Sequence, residues 1–504
     1  MDKSLNALRR EAKLLKKQHQ AGEDAAIRRM GNDAVRPRHA DFLHCIAVEN
    51  GFASWPLLKL VHETRGMDRA ARAARLRHAL FAGQGWGVDQ ILAETPDLAA
   101  GDFALQVALY DLPAVQAALA KAPELAQVRG AEGPMVSLAF SQHFKGDSAR
   151  EADMIAVAEA LLAHGADPND SRPVGAGNAA PLSVLYGAIG RAGNMALGQW
   201  LLDHGADPND GESLYHATEL GHHRGLDMLL AAGADPAGTN ALLRALDFND
   251  HLAVQKLLAA GADVNEFNAE EVGGEAPWTI PALHQAARRG CDQKMIDLLL
   301  DAGADPAKTY QGAGVYGFAR AFGHSGLCEA LEARGLAQTL SEPEVILAAA
   351  AEGPVPAGRY IDTGKLPPAY RDIFRMILPL PGRMDHLRRL VEVGIEYDRP
   401  DAEGLTPVQA AGWEGLPEVM EYILSLRPDL SHVNNYGGTL LSTIIHGAEN
   451  CPQRAERDHI ACLELALNTG VALPQNMVGM AGDGEVAAFL AAWAKARPGQ
   501  VVPG

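Results

Sequence analysis

Cysteine is scarce in this chain. Five residues, Cys45, Cys291, Cys328, Cys451 and Cys462, are scattered over 504 positions with no CxxC pair. That spacing excludes a disulfide-stapled framework and a paired-thiol zinc site, and reduced thiols are the expectation. Aromatic residues amount to only 6%, so alanine and leucine must fill most of the core. No apolar run is long enough to span a bilayer. The N-terminal stretch MDKSLNALRREAKLLKKQ is too charged for a signal-peptide core. A cytoplasmic protein without a membrane partner is therefore expected. Basic charge is also in short supply: 44 Lys and Arg face 63 Asp and Glu, a net charge of −19. Phosphate backbones are held by basic charge, so nucleic acid is not an expected partner. The deficit is uneven. Residues 1–65 hold 12 basic against 8 acidic residues, leaving 32 against 55 for the rest.

Catalytic signatures are missing as well. There is no phosphate loop, no GxSxG elbow and no kinase motif. No cofactor is expected, and enzymatic activity rests on no motif.

What the chain does have is a repeated phrase. LLAHGADPND begins at Leu161, LLDHGADPND at Leu201, LLAAGADPAG at Leu229, LLAAGADVNE at Leu257 and LLDAGADPAK at Leu299. The glycines of these phrases fall at 165, 205, 233, 261 and 303, so their spacings are 40, 28, 28 and 42 residues. In each unit a short apolar helix stops at a glycine and a polar residue. A second helix follows and ends in Leu-Leu. The next glycine suits the left-handed conformation that closes a helix. Ala-Asp-Pro-Asn then turns the chain, with Asp and Asn bonding their own backbone. Neither helix can bury its apolar stripe alone, so stacked neighbours must bury it for each other.

The chain resembles ankyrin repeat proteins, whose unit reads D-x-x-G-x-T-P-L-H-x-A-A-x-x-G-H followed by L-L-x-x-G-A-D-x-N. Asp401 to Gly415 reads DAEGLTPVQAAGWEG, with Gln409 in the place of His. LHQAARRG (283–290) has His284 there, and GESLYHATELGH (211–222) has Tyr215. The resemblance covers residues 67–498. It implies an all-α solenoid of about a dozen helix–turn–helix units with short or clipped β-turn fingers. The 28-residue periods fall short of the usual repeat, so the finger is expected to be clipped there. Two units carry insertions between their helices, KGDSAREAD after Phe144 and GAENCPQRAER after His446.

Domain boundaries follow from these patterns. Residues 1–66 form a helical head, with a stripe of Leu5, Leu8, Ala12 and Leu15. Two repeat lobes, 67–341 and 373–504, flank an irregular joint at 342–372, where EGPVPAGRYIDTGKLPPAYRD holds four prolines. The head has a helix–turn–helix outline, but Trp55, Leu57, Leu58, Leu60 and Val61 are packing residues, so a docked cap is expected.

The resemblance implies a partner protein seated on the concave surface formed by finger tips and first-helix ends. Carried onto this chain, those positions include Glu219 and Leu220, Arg288 and Arg289, Ala321 and Phe322, and Trp413 and Glu414. Ala402, Glu403 and Leu405 are the finger positions of the clearest unit. Arg288 and Arg289 read as a lone basic pair in an acidic array. The expected function is a non-catalytic scaffold or adaptor. The acidic surface points to a partner with a basic surface. Two alternatives stand beside it. His446, Glu449, Cys451, Asp458 and His459 are metal-ligand and acid–base side-chain types within one insertion, although their spacing matches no zinc pattern. A small molecule at the seam between the lobes is the other.

Overall fold

The computed structural model describes residues 3, 5–30, 39–145, 148–173, 181–267, 280–451, 453–475, 477 and 484–502. Positions 146–147 and 452, inside the two insertions, lie outside this set. By compactness the chain divides into two units, Met1–Trp55 with Pro306–Gly504, and Pro56–Asp305. The described residues form short helices, with three two-stranded β pairs of two residues per strand.

Pro56–Asp305 is a row of helical hairpins, from Arg69–Phe81 with Gly85–Glu94 to Ala282–Arg289 with Gln293–Asp301. One hairpin explains the rest. The helix His251–Ala259 starts where the Asp250 carboxylate accepts from the Ala253 N–H at 3.0 Å. Such a cap contributes about 1 kcal/mol. Ala253, Val254 and Leu257 lie on one stripe and are fully buried. A leucine so buried contributes about 2 kcal/mol. Gly261, at φ 100°, then turns the chain.

The turns are tied across units. Asn169 donates to the Gly205 carbonyl at 2.9 Å and accepts from the Asp207 N–H at 2.7 Å. Asn265 makes the same two bonds to Gly303 and Asp305, at 2.9 and 2.7 Å. Asn209 accepts from the Asp235 N–H at 2.7 Å. The aspartates of these turns bond their own loop, as in Asp167 accepting from the Asn169 N–H at 2.8 Å. The asparagines do not repeat this local role; they reach forward to the next unit. Where the period is 28, the turns run from Asp207 to Glu212 and from Asp235 to Asn240 into the next first helix with no strand pair. Longer units form short fingers: Ser171–Arg172 pairs antiparallel with Leu182–Ser183.

In the other unit, Val315–Phe322 packs on Glu342–Glu352. The latter begins with a capping box of Ser341 and Glu344. The proline-rich stretch after it carries side chains into the core. Tyr370 is fully buried and donates to Glu344 Oε1 at 2.7 Å. The head helices Leu5–Gln20 and His39–Glu49 pack together over Leu8, Ala12 and Leu15. His39–Glu49 also touches Gly484–Ala496. Trp55, Leu58 and Leu60 are buried, as packing residues are.

Candidate functional site

The helix Pro407–Trp413 opens on Thr406, whose hydroxyl accepts from Gln409 N–H while Gln409 bonds back to the Thr406 N–H. Gln409 also donates to the Gly438 carbonyl of the following finger at 3.1 Å. The amide thus links one unit to the next from the place where the family pattern has His. At the far end of this helix Trp413 is half-buried, its ring 5.0 Å from that of exposed His446. His459 Nε2 lies 2.9 Å from the Trp413 carbonyl oxygen. Gly447 backs onto the same peptide; a Cβ there would sit 2.3 Å from that oxygen. The glycine is what permits so close an approach.

Glu414 faces the buried Cys451 thiol at 3.8 Å. Burial raises the Cys451 pKa; the Gln453 backbone opposes this and Glu414 adds to it. Asp458 caps the helix His459–Asn468 by accepting from Ala461 N–H at 2.8 Å. Trp413 and Glu414 therefore share one neighbourhood with His446, Cys451, Asp458 and His459, while Glu449 lies half-buried on the His446 helix. The side chains of Asp458 and His459 are engaged by backbone groups. Among the described residues no three His, Cys, Asp or Glu side chains form a metal-holding group.

Beside this neighbourhood the fingers interlock. Asn435 donates its N–H to the Glu403 carbonyl at 3.1 Å and its side-chain amide to the Ala402 carbonyl at 3.0 Å. Glu403 is exposed and Leu405 half-buried. Tyr436, 76% exposed, occupies in its own finger the place that Glu403 holds in the preceding one. Sequence reasoning missed it because NNYGGT departs from the family finger at its first residue. The glycine of that finger was the available signal.

In Pro56–Asp305 the other candidates fall on a charged ridge. His216 lies 2.9 Å from Glu212 and 3.0 Å from Glu219. Burial alone would lower its pKa, but the bonds to Glu212 and Glu219 outweigh that and raise it to about 9. Glu219 also pairs with Arg244 at 2.7 Å, and Arg244 with Asp247 at 2.6 Å. Leu220 is half-buried. Arg288 and Arg289 are not a lone pair. Arg289 binds Asp247 at 2.6 Å, and Arg288, 5% exposed, holds Gln285 Oε1 at 2.9 Å. A buried guanidinium requires such partners, and the carboxylate comes from the preceding hairpin. Phe322 is a correction of another kind. It is 0% exposed and stacked on Phe318 at 4.2 Å, with Ala321 equally buried. It packs the core and presents nothing to a partner.

Residues 281–309 match the family model of the ankyrin repeat. Among solved structures, the human ASB11 ankyrin repeat domain aligns with 51% of this chain and 100% of its own, at 23% identity and a TM-score of 0.32. No curated protein matches the chain. Ankyrin repeats generally mediate protein–protein interaction. No helix among the described residues is long and apolar enough to cross a membrane.

Proposed function

We propose that this chain, an ankyrin repeat protein, is a non-catalytic scaffold or adaptor that seats a partner protein on its finger tips and first-helix ends. The observation that carries this reading is Trp413. Its ring lies against His446, its carbonyl is bonded to His459, and it remains half-buried at a helix end. An indole held in place before binding loses little conformational entropy on contact, and tryptophan is over-represented among energetic hot spots. Exposed Tyr436 and Glu403, on adjacent fingers, extend the same surface. The surplus of acid, −19 overall, favours a basic partner surface and faster encounter at low salt.

Affinity capture tests the reading, with wild type beside Trp413→Ala and Tyr436→Ala. A partner seated here should lose about 30-fold or more in affinity on the Trp413 change. Captured proteins that ignore both substitutions would remove this surface from consideration.

A further inference from the structure

The arginines of the Pro56–Asp305 ridge fall into two groups. Arg244, Arg288 and Arg289 converge with acids on and around Asp247. Arg172 and Arg191 do not. The Arg172 guanidinium carbon sits 5.3 Å from the centroid of the Phe140 ring and 5.8 Å from that of Phe81. Arg191 lies 4.3 Å from the same Phe81 centroid. Phe81 and Phe140 are nearly parallel, 6.3 Å apart. Among the described residues neither arginine has an ion-pair partner, and Arg172 Nε is buried with no hydrogen-bond partner. Arg191 makes one long bond, 3.4 Å, to the Phe81 carbonyl.

A third cation lies close by. Lys145 donates to Gln142 Oε1. Burial lowers its pKa, and Arg191 lowers it further. The local backbone is unusual as well. Arg191 sits in a π-helical turn, Gly187–Ala192, a geometry frequent at functional sites. Gly187 leaves room for Phe140: a Cβ there would meet the ring at 2.6 Å. Two guanidiniums thus lie over two aromatic rings, with Lys145 near Arg191, in a chain whose net charge is −19.

We propose that Arg172 and Arg191, held over Phe81 and Phe140, dock an acidic side chain, an Asp or Glu carried on a short segment of the partner protein. The proposal rests on the protein-binding reading above. Guanidinium forks match a carboxylate in two parallel hydrogen bonds, and low hydration makes them suited to a half-buried site. The rings shield the ion pair and offer an apolar neighbour a surface to cover. A polyacid would be repelled by the rest of the molecule, so the segment carries one acid among uncharged or basic residues.

The test uses phage-displayed random 12-residue peptides selected on the full chain. Recovered sequences should share an Asp or Glu beside an apolar residue. Synthetic versions should lose about tenfold to a hundredfold in affinity when that acid becomes Asn or Gln. A comparable loss should follow Arg172→Gln/Arg191→Gln. The change on the peptide keeps the test decisive even if the double variant folds poorly. Recovered peptides without an acid, indifference to either change, or no recovery at all would overturn the proposal. Peptides lost on Trp413→Ala yet indifferent to Arg172 and Arg191 would overturn it while sparing the scaffold reading.

Discussion

Two histidines show how environment sets the behaviour of one residue type. His386, in the helix Met384–Glu392, is 2% exposed, and among the described residues neither ring nitrogen has a hydrogen-bond partner. Burial, then Arg383 and Arg389, hold its pKa down to about 3. The folded chain therefore keeps it neutral, while the unfolded chain takes up a proton below about pH 6.5. Its contribution is fully present above that pH and is lost as pH falls toward 3. His216 has the opposite sign: its contribution is complete below about pH 6.5 and is lost as pH rises through about 9. Replacing His386 by Leu removes two unsatisfied polar atoms and should add about 1–3 kcal/mol at pH 7. Urea unfolding at pH 7 and pH 5 should show that advantage widening in acid. An advantage that stays constant would mean His386 takes up its proton as readily in the fold as in the unfolded chain. None of this was legible in the sequence, where His386 is one apolar-stripe position among many. The burial of Arg288 and Phe322 was hidden for a related reason: Arg288 meets Asp247 of the preceding hairpin, and the helix of Phe322 is covered by Glu342–Glu352, so the neighbour is distant in sequence in both cases.

At the scale of the element, the helix-closing glycines and the turn phrase were readable in full, because a left-handed turn restricts residue choice strongly. The direction of the asparagine bonds was not. Spacing alone suggests an asparagine bonding its own loop, and only the stacked units supply the nearer carbonyl. The sequence then holds an experiment of its own. Ala237 stands where Asn169, Asn209 and Asn265 stand in their units. Among the described residues that turn reaches the next unit through the Gly238 N–H, which donates to Glu266 Oε1 at 2.8 Å. Ala237→Asn should supply the missing strut and stabilise by about 0.5–1.5 kcal/mol. Asn169→Ala, which leaves the Gly205 carbonyl and Asp207 N–H without that partner, should cost about 1–3 kcal/mol. Thermal unfolding reads both. An Asn at 237 that changes nothing would show that the turn there cannot bring its backbone within reach.

At the scale of the molecule, stability in a stacked array is a sum of nearest-neighbour terms. Hydrogen exchange on Ala237→Asn should slow through residues 205–265 and remain unchanged across Pro407–Trp413 and Leu440–Asn450; a uniform change would contradict nearest-neighbour coupling. The overall class was plain from the repeats. The cation cluster was not, because Phe81, Phe140, Arg172 and Arg191 belong to four segments far apart in sequence and come together only when the helix ends line up. The forward-reaching asparagines have one more consequence. Each binds an amide or carbonyl that every turn possesses, whatever its side chains. A tandem copy of residues 205–232 could enter the gene without stranding the Asn209 side chain at either junction. Evolution can therefore lengthen or shorten this chain by whole hairpins, in increments that a single globular core would not tolerate.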